Sequence, residues 1–375
     1  MKIAVNTRLL IPGKIDGIGR FTLETLKLIA QNHPEVQFTL LFDRKMDISI
    51  FGFSTNVKAV HFGPPARHPL LWYIWFEHRL KNYLNNNQFD LFLSPEGWIP
   101  PKLKCKSLAV IHDLNFEHHP ENIIWSHRKY LQTFFPKFAQ RADRIATVSD
   151  FSKQDIVKTY QVNEDDIDVV YNGASAVFKP ISLEGKAVIK ENYTDGEDFF
   201  IFVGSLHPRK NLEHLFLAFD GFKKQVGSNT KLLVAGNKKW WPNSLDQLYQ
   251  RMQFKDEVIF VGRLNDEDLS KLLASAIALT YLPYFEGFGI PILEAFQCKT
   301  PVISSTVSSM PEVAKNAVIL CDPKNVTEIA EAMQAIYSDE NLRSELIVKG
   351  QSRANNFSWE KSAELLWESM QKTIR

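Results

Sequence analysis

Short apolar runs alternate along the chain with longer stretches in which apolar positions recur every three or four residues. The runs at 2–5, 38–42, 57–61, 91–93, 108–111, 145–148 and 167–171 read as strands. They are apolar on both faces, as strands buried inside a parallel sheet are. Between them, 17–30 carries Phe21, Leu23, Leu26, Leu28 and Ile29 in a helical pattern, and 70–84, 125–141 and 152–160 repeat that period. From 172 to 198 the rhythm is lost among Gly173, Pro180, Gly185 and Gly196, which reads as a linker. It restarts with strands at 199–203, 232–235, 258–261, 278–281, 302–304 and 318–320, and helices at 212–223, 266–275, 291–296 and 326–337. Repeated β-α-β alternation predicts an α/β chain of two doubly wound, Rossmann-like domains, 1–175 and 176–355, with a last helix over 356–375.

Composition narrows the function classes. A chain of 375 residues can bury two cores, and 45% hydrophobic against 23% charged residues excludes a disordered or fibrous protein. The 44 Lys and Arg against 43 Asp and Glu leave a charge of +1, which argues against nucleic acid as a partner. Cys105, Cys298 and Cys321 are few, odd in number and far apart, so they form neither a disulfide framework nor a CxxC metal site. A reducing, cytoplasmic setting is expected from them and from an N-terminal segment, Met1 to Asn6, that turns polar too soon for a signal peptide. No apolar run is long enough to span a bilayer.

Doubly wound domains bind ligands beyond the carboxyl ends of their strands, so a central cleft faced by both domains is the expected site. Two segments there carry chemistry. In the first, a strand runs through Gly204 into Arg209 and Lys210 at the expected start of a helix. A helix start disfavours cations unless an anion visits it, and Arg offers a bidentate fork to a phosphate. In the second, Glu286-Gly287-Phe288-Gly289 leads into a helix carrying Glu294. Its glycines let backbone amides approach a ligand, and its two carboxylates can accept hydrogen bonds from sugar hydroxyls. Read blandly, Glu286 and Glu294 are surface residues.

Other motifs read as structure. Asp166-Ile167-Asp168 runs straight into apolar residues, so it is assigned to a strand start rather than a metal-chelating loop. His112, His118 and His119 lack helical metal-ligand spacing and an accompanying Cys. The aromatic stretch from Leu70 to Leu80 reads as core, with a membrane or sugar-stacking surface as the alternative. Ser126-His127-Arg128-Lys129-Tyr130 is a small basic patch able to meet anionic headgroups.

Together, Gly204…Arg209-Lys210-Asn211 and Glu286-x7-Glu294 resemble the family-four retaining glycosyltransferases of GT-B fold. Gly17-Ile18-Gly19-Arg20-Phe21, Ile111-His112-Asp113-Leu114, Thr147 to Ser152 and Val169 to Gly173 match in the same order. The resemblance implies that Arg209 and Lys210 hold the nucleotide diphosphate and stabilise it as leaving group. It gives Glu294 to the ribose, and Glu286, with the amides of Gly287, Phe288 and Gly289, to the transferred sugar. Gly17 and Gly19 would close over the donor, and His112 would sit near the anomeric centre, as in mannosyl-transferring members. Asp16 departs from the family's glycine. The implied partners are a nucleotide-sugar donor, GDP-mannose first and a UDP-hexose as the alternative, and a glycan or lipid-linked glycan acceptor. The resemblance also implies no metal or other cofactor, and peripheral contact with the inner face of a membrane is expected. An oxidoreductase is disfavoured because Thr22 stands where the third glycine of a dinucleotide fingerprint belongs. A non-catalytic sugar-binding protein is disfavoured by the retained Arg209, Lys210, Glu286 and Glu294.

Overall fold

The computed structural model describes residues 1–13, 15, 17–238 and 241–375. The chain divides into two compact units, Met1–Gly173 with Trp359–Arg375, and Ala174–Ser358.

The first unit holds seven parallel strands: β1 (Lys2–Asn6), β2 (Gln37–Phe42), β3 (Val57–His61), β4 (Leu91–Ser94), β5 (Lys106–Ile111), β6 (Arg144–Thr147) and β7 (Ile167–Val169). They are ordered β3-β2-β1-β4-β5-β6-β7, so the order reverses between β1 and β4. The second unit repeats the plan with β8 (Phe199–Val203), β9 (Lys231–Ala235), β10 (Val258–Gly262), β11 (Ala278–Tyr281), β12 (Val302–Ser305) and β13 (Ile319–Cys321). Their order is β10-β9-β8-β11-β12-β13, with the reversal between β8 and β11. Every pairing is parallel. The reason is visible in β8, whose five residues Phe-Phe-Ile-Phe-Val are all buried and need helices on both faces. Phe200, Phe202, Phe216, Phe219 and Phe222 fill one side of that sheet; Trp75, Phe76, Phe92, Trp98 and Phe138 build the corresponding core in the first unit.

The C-terminal helix, Trp359–Ile374, packs on helix Gly17–Asn32 in the first unit. Asp168 fixes it there: the carboxylate accepts from Ser369 Oγ at 2.7 Å, Lys372 Nζ at 3.0 Å and Arg144 Nη2 at 2.8 Å. Burial raises the Asp168 pKa, but these donors outweigh it and hold the carboxyl well below its ordinary value. Asp166 closes the 3₁₀ turn Glu164–Asp166.

Three features differ from the pattern reading. The stretch read as a linker contains a helix, Leu183–Thr194, capped by Ser182 Oγ accepting from Gly185 N and ended by Asp195 at φ 52°. Helix Glu340–Ala354 escaped notice because only Leu346 and Gly350 of its residues are buried, leaving no apolar stripe. Gly350 is required there, since a Cβ would stand 2.6 Å from the Phe296 ring. The aromatic stretch is one helical run over 69–86 that widens to a π-helix at Ile74–Leu80. Trp75, Phe76 and Leu80 face the core, and Leu70 and Tyr73 do not.

Candidate functional site

The topological switch of the second unit lies where β8 and β11 end, and the two sequence-predicted segments leave from those strands. After β8 the chain passes Gly204 at φ 147°, beside Gly236. A Cβ on Gly236 would fall 1.9 Å from the Gly204 carbonyl oxygen, so this crossing of two backbones admits no side chain. Pro208–Lys210 then forms a 3₁₀ turn, with Arg209 N donating to His207 Nδ1 at 3.3 Å. The following helix starts only at Leu212, after Asn211 at φ 60°, whose Oδ1 accepts from His214 N at 3.4 Å. The expected placing of Arg209 and Lys210 at that helix start is therefore corrected. They sit one turn earlier, and Asn211, which tolerates the left-handed conformation, turns the chain between them and the helix.

Both cations meet Glu286, which leaves from the β11 loop. Arg209 Nη1 and Lys210 Nζ each form an ion pair with Glu286 Oε1. Arg209 Nη1 also donates to the Phe285 carbonyl at 3.1 Å, and Lys210 Nζ to Tyr281 Oη at 2.7 Å. Lys210 and Glu286 are both buried. Burial by itself would raise the Glu286 pKa, yet Arg209 and Lys210 pull it below its ordinary value, so the carboxylate is ionised at neutral pH. Tyr281 is pushed well above its ordinary range, first by burial and then by Glu286, and remains a neutral hydroxyl. The loop backbone is pinned from β12: Glu286 N donates to Ser308 Oγ at 2.9 Å, and Ser308 and Ser309 Oγ both donate to the Glu286 carbonyl at 2.8 Å.

Gly287 and Gly289 are buried in the same loop, Gly289 at φ 97° with Met310 Cε 2.8 Å from where a Cβ would stand. The Phe288 ring turns into the unit, edge-on to Phe357 at 5.6 Å, so only its backbone is available to a ligand. Glu294 lies buried in helix Ile290–Gln297. The structure thus joins Arg209, Lys210 and Glu286 directly, sets Gly204 beside the Lys210 side chain, and carries Gly287, Gly289 and Glu294 on the same loop and its helix.

In the first unit, Gly17 and Gly19 open helix Gly17–Asn32, while Asp16 lies outside the described residues. His112 follows β5, and its ring meets Phe21 of that helix edge-on at 5.1 Å. His112 Nε2 is 3.0 Å from the Pro95 carbonyl; a carbonyl only accepts, so the proton is on Nε2. His118 pairs with Asp155 and His119 with Glu121, so the three histidines have three different partners. Among the described residues no three His, Cys, Asp or Glu side chains group as metal ligands. Burial pushes the Cys298 and Cys321 thiols up to about 12, which makes both poor nucleophiles at neutral pH.

Sequence reasoning missed Tyr281, Ser308 and Ser309, and it missed a second ion pair at the β1/β4 switch. There Arg8 Nε donates to Glu96 Oε1 at 3.1 Å, Arg8 Nη1 to the Ala66 carbonyl at 2.8 Å, and Asn6 Nδ2 to Glu96 Oε1 at 2.7 Å. The available signal was positional: Tyr281 closes a strand, and Arg8 and Glu96 each stand two residues past one.

Comparison with known proteins divides the chain at nearly the same place. The family described as Glycosyltransferase Family 4 matches residues 15–176, and that described as Glycosyl transferases group 1 matches 184–353. The chain is 28% identical over 361 residues to the O-antigen chain mannosyltransferase B of Escherichia coli, covering 92% of this chain and 93% of that one. It is 29% identical over 295 residues to the O-antigen chain mannosyltransferase RfbU of Salmonella typhimurium, covering 73% and 77%. In fold it is similar to the sucrose-phosphate synthase of Thermosynechococcus elongatus, with a TM-score of 0.80, 19% identity and coverage of 99% and 98%. It is also similar to Anabaena Alr3699/HepE, solved with UDP and glucose, with a TM-score of 0.78, 16% identity and 99% coverage of both chains.

Proposed function

We propose that this chain, a family-four-like glycosyltransferase of the GT-B fold, transfers mannose from GDP-mannose, with retention, to a hydroxyl of a glycan or lipid-linked glycan. The observation that carries the reading is the Arg209–Lys210–Glu286 cluster at the β8/β11 switch, in which Lys210 and Glu286 are buried. Two cations fixed beside bare glycine backbone form a preorganised anion site, and the internal carboxylate occupies it until a diphosphate displaces it. As the sugar–phosphate bond breaks, negative charge grows on the leaving oxygens, and Arg209 and Lys210 stabilise it. Glu294 is assigned to the ribose, and Glu286 with the backbone of Gly287, Phe288 and Gly289 to the sugar. Gly17, Gly19 and His112 are assigned to the closing loop and the anomeric side.

No carboxylate is assigned as a nucleophile. In a front-face transfer the acceptor oxygen forms the new bond on the side the diphosphate leaves, and a departing phosphate oxygen takes the acceptor proton. The two bacterial relatives named as mannosyltransferases support mannose as the sugar. Their O-antigen names support a glycan acceptor; action at the inner face of a membrane belongs to the same proposal. Because cationic side chains neutralise the diphosphate in this scheme, no metal is required.

The test is nucleotide release from GDP-mannose, GDP-glucose, UDP-glucose and UDP-galactose, with and without EDTA. GDP-mannose should turn over fastest, and EDTA should leave its rate unchanged. Faster turnover of a UDP-sugar would overturn the donor assignment. Loss of activity on chelation, restored by manganese or magnesium, would overturn the metal-free scheme.

A further inference from the structure

Two of the groups that meet at the β8/β11 switch are carried by irregular backbone. Lys210 stands in the Pro208–Lys210 turn, on a long flexible stem, and Glu286 stands in the loop beyond β11. Tyr281 differs from both. It is the last residue of β11, in register with Ser304 of β12, and only 1% exposed. Its hydroxyl accepts from Lys210 Nζ at 2.7 Å, and the same ammonium stands 4.8 Å from the centre of its ring. Gly204 runs along the lysine stem so closely that a Cβ there would lie 3.6 Å from Lys210 Cε. Stem and head of Lys210 are therefore both guided by the ends of neighbouring strands, β8 and β11.

The two oxygen partners of the ammonium differ in charge. Glu286 forms an ion pair with Lys210 Nζ, and its carboxylate is the group that an incoming diphosphate displaces on the reading given above. Lys210 then loses one anchor at the moment its position matters most. The Tyr281 hydroxyl cannot leave in this way, because a buried strand residue has nowhere to turn. It also stays neutral, since burial and the adjacent Glu286 both oppose its ionisation. A neutral acceptor orients a cation without cancelling its charge, whereas a carboxylate does both.

We propose that Tyr281 is a positioning residue of the transfer, a neutral acceptor on a strand that holds the Lys210 ammonium in place before and after Glu286 releases it. The inference rests on the role proposed for Lys210 in the diphosphate site. Groups on regular elements are held more exactly than groups on loops, and electrostatic stabilisation depends on charges fixed ahead of the reaction. A lysine left to wander loses most where phosphate charge is largest, so turnover should suffer more than binding.

Tyr281→Phe removes the hydroxyl and keeps the ring that fills the core. The test compares the parent, Tyr281→Phe, Lys210→Ala and the double variant in nucleotide release from whichever of the sugar nucleotides above the parent turns over fastest. Calorimetry with free GDP and UDP and circular dichroism accompany it. Tyr281→Phe should lower kcat about tenfold, with KM and free-nucleotide affinity changed by no more than about twofold. In the Lys210→Ala background the same substitution should add no further loss, because its effect passes through the lysine. Parent-like turnover of Tyr281→Phe beside an impaired Lys210→Ala would overturn the proposal and leave the diphosphate site standing. Losses that add in the double variant would overturn it as well, and so would loss of the folded spectrum in Tyr281→Phe, which would make the hydroxyl a requirement of the core. Unimpaired turnover of Lys210→Ala would overturn the diphosphate assignment itself, and this inference with it.

Discussion

The two units solve one topological problem in two ways. Each reverses its strand order after its first strand, and each places an Arg–Glu pair where the reversal opens: Arg8–Glu96 beyond β1 and β4, Arg209–Glu286 beyond β8 and β11. In the first unit the guanidinium lies under three aromatic rings, 5.6 Å from Trp98, 5.8 Å from Phe76 and 5.9 Å from Trp72, and its nitrogens reach Glu96 and the Ala66 carbonyl. Burial would lower its pKa, but Glu96 more than compensates, and the pair is a neutralised piece of the core. In the second unit the Arg209 side chain is 23% exposed against 10% for Arg8, and Lys210 adds a second cation on Glu286. On the proposed reading, the two cations on one carboxylate at a strand-end opening serve an incoming anion, whereas the Arg8–Glu96 pair under indoles is structural.

The largest effect should come from breaking the closed pair. Glu96→Ala removes the hydrogen-bonded carboxylate from a buried guanidinium and should cost about 3–5 kcal/mol, read as a lower denaturation midpoint of the first unit. GDP binding, measured below that midpoint, should persist; parallel loss of both would mean that the two pairs are not independent.

Lys210→Ala attacks the open cluster and should cost about 1.5–3 kcal/mol of donor-complex stabilisation. Turnover of GDP-mannose should fall by more than donor affinity, because phosphate charge grows toward the transition state. Unchanged turnover would remove Lys210 from the mechanism.

Glu286→Gln sharpens the contrast, because the carboxylate competes with the incoming diphosphate for both cations. Calorimetry should show the variant binding free GDP more tightly than the parent, while turnover falls through the lost sugar contact. Weaker GDP binding would show that Glu286 holds the cations in place rather than occupying them. Glu294→Gln, by contrast, should weaken GDP binding itself.

The smallest effect is a pH dependence. Glu286 has a lowered pKa in the folded protein, so its contribution is fully present above the ordinary glutamate range and is lost as pH falls through the folded value. The stability gap between parent and Glu286→Gln should therefore stay constant from neutral pH down to that range and close below it. A gap that closes near neutral pH would contradict the ionised cluster.

The strands were legible because their burial on both faces writes itself as uninterrupted apolar runs; β8 and β11 lie where the pattern placed them. Helix Glu340–Ala354 was not, because it packs through the absence of a side chain at Gly350 rather than through a stripe. The chemistry-bearing residues Arg209, Lys210, Glu286 and Glu294 were legible as residue types in a pattern. Their pairing was not, since Lys210 and Glu286 are 76 positions apart and meet only because β8 and β11 are neighbours.

The sequence by itself determined the α/β alternation, the two-sheet plan and the candidate residues, because periodicity and Gly/Pro punctuation are local properties. Tertiary structure decided which charges meet. It turned Asn211 between the cations and their helix, brought Arg209 and Lys210 onto Glu286 and Arg8 onto Glu96, and roofed Arg8 with indoles. It also separated the core face of the aromatic helix from its exposed Leu70 and Tyr73. An electrostatic role depends on distance and burial, and both are set by contacts between residues that lie far apart in the chain.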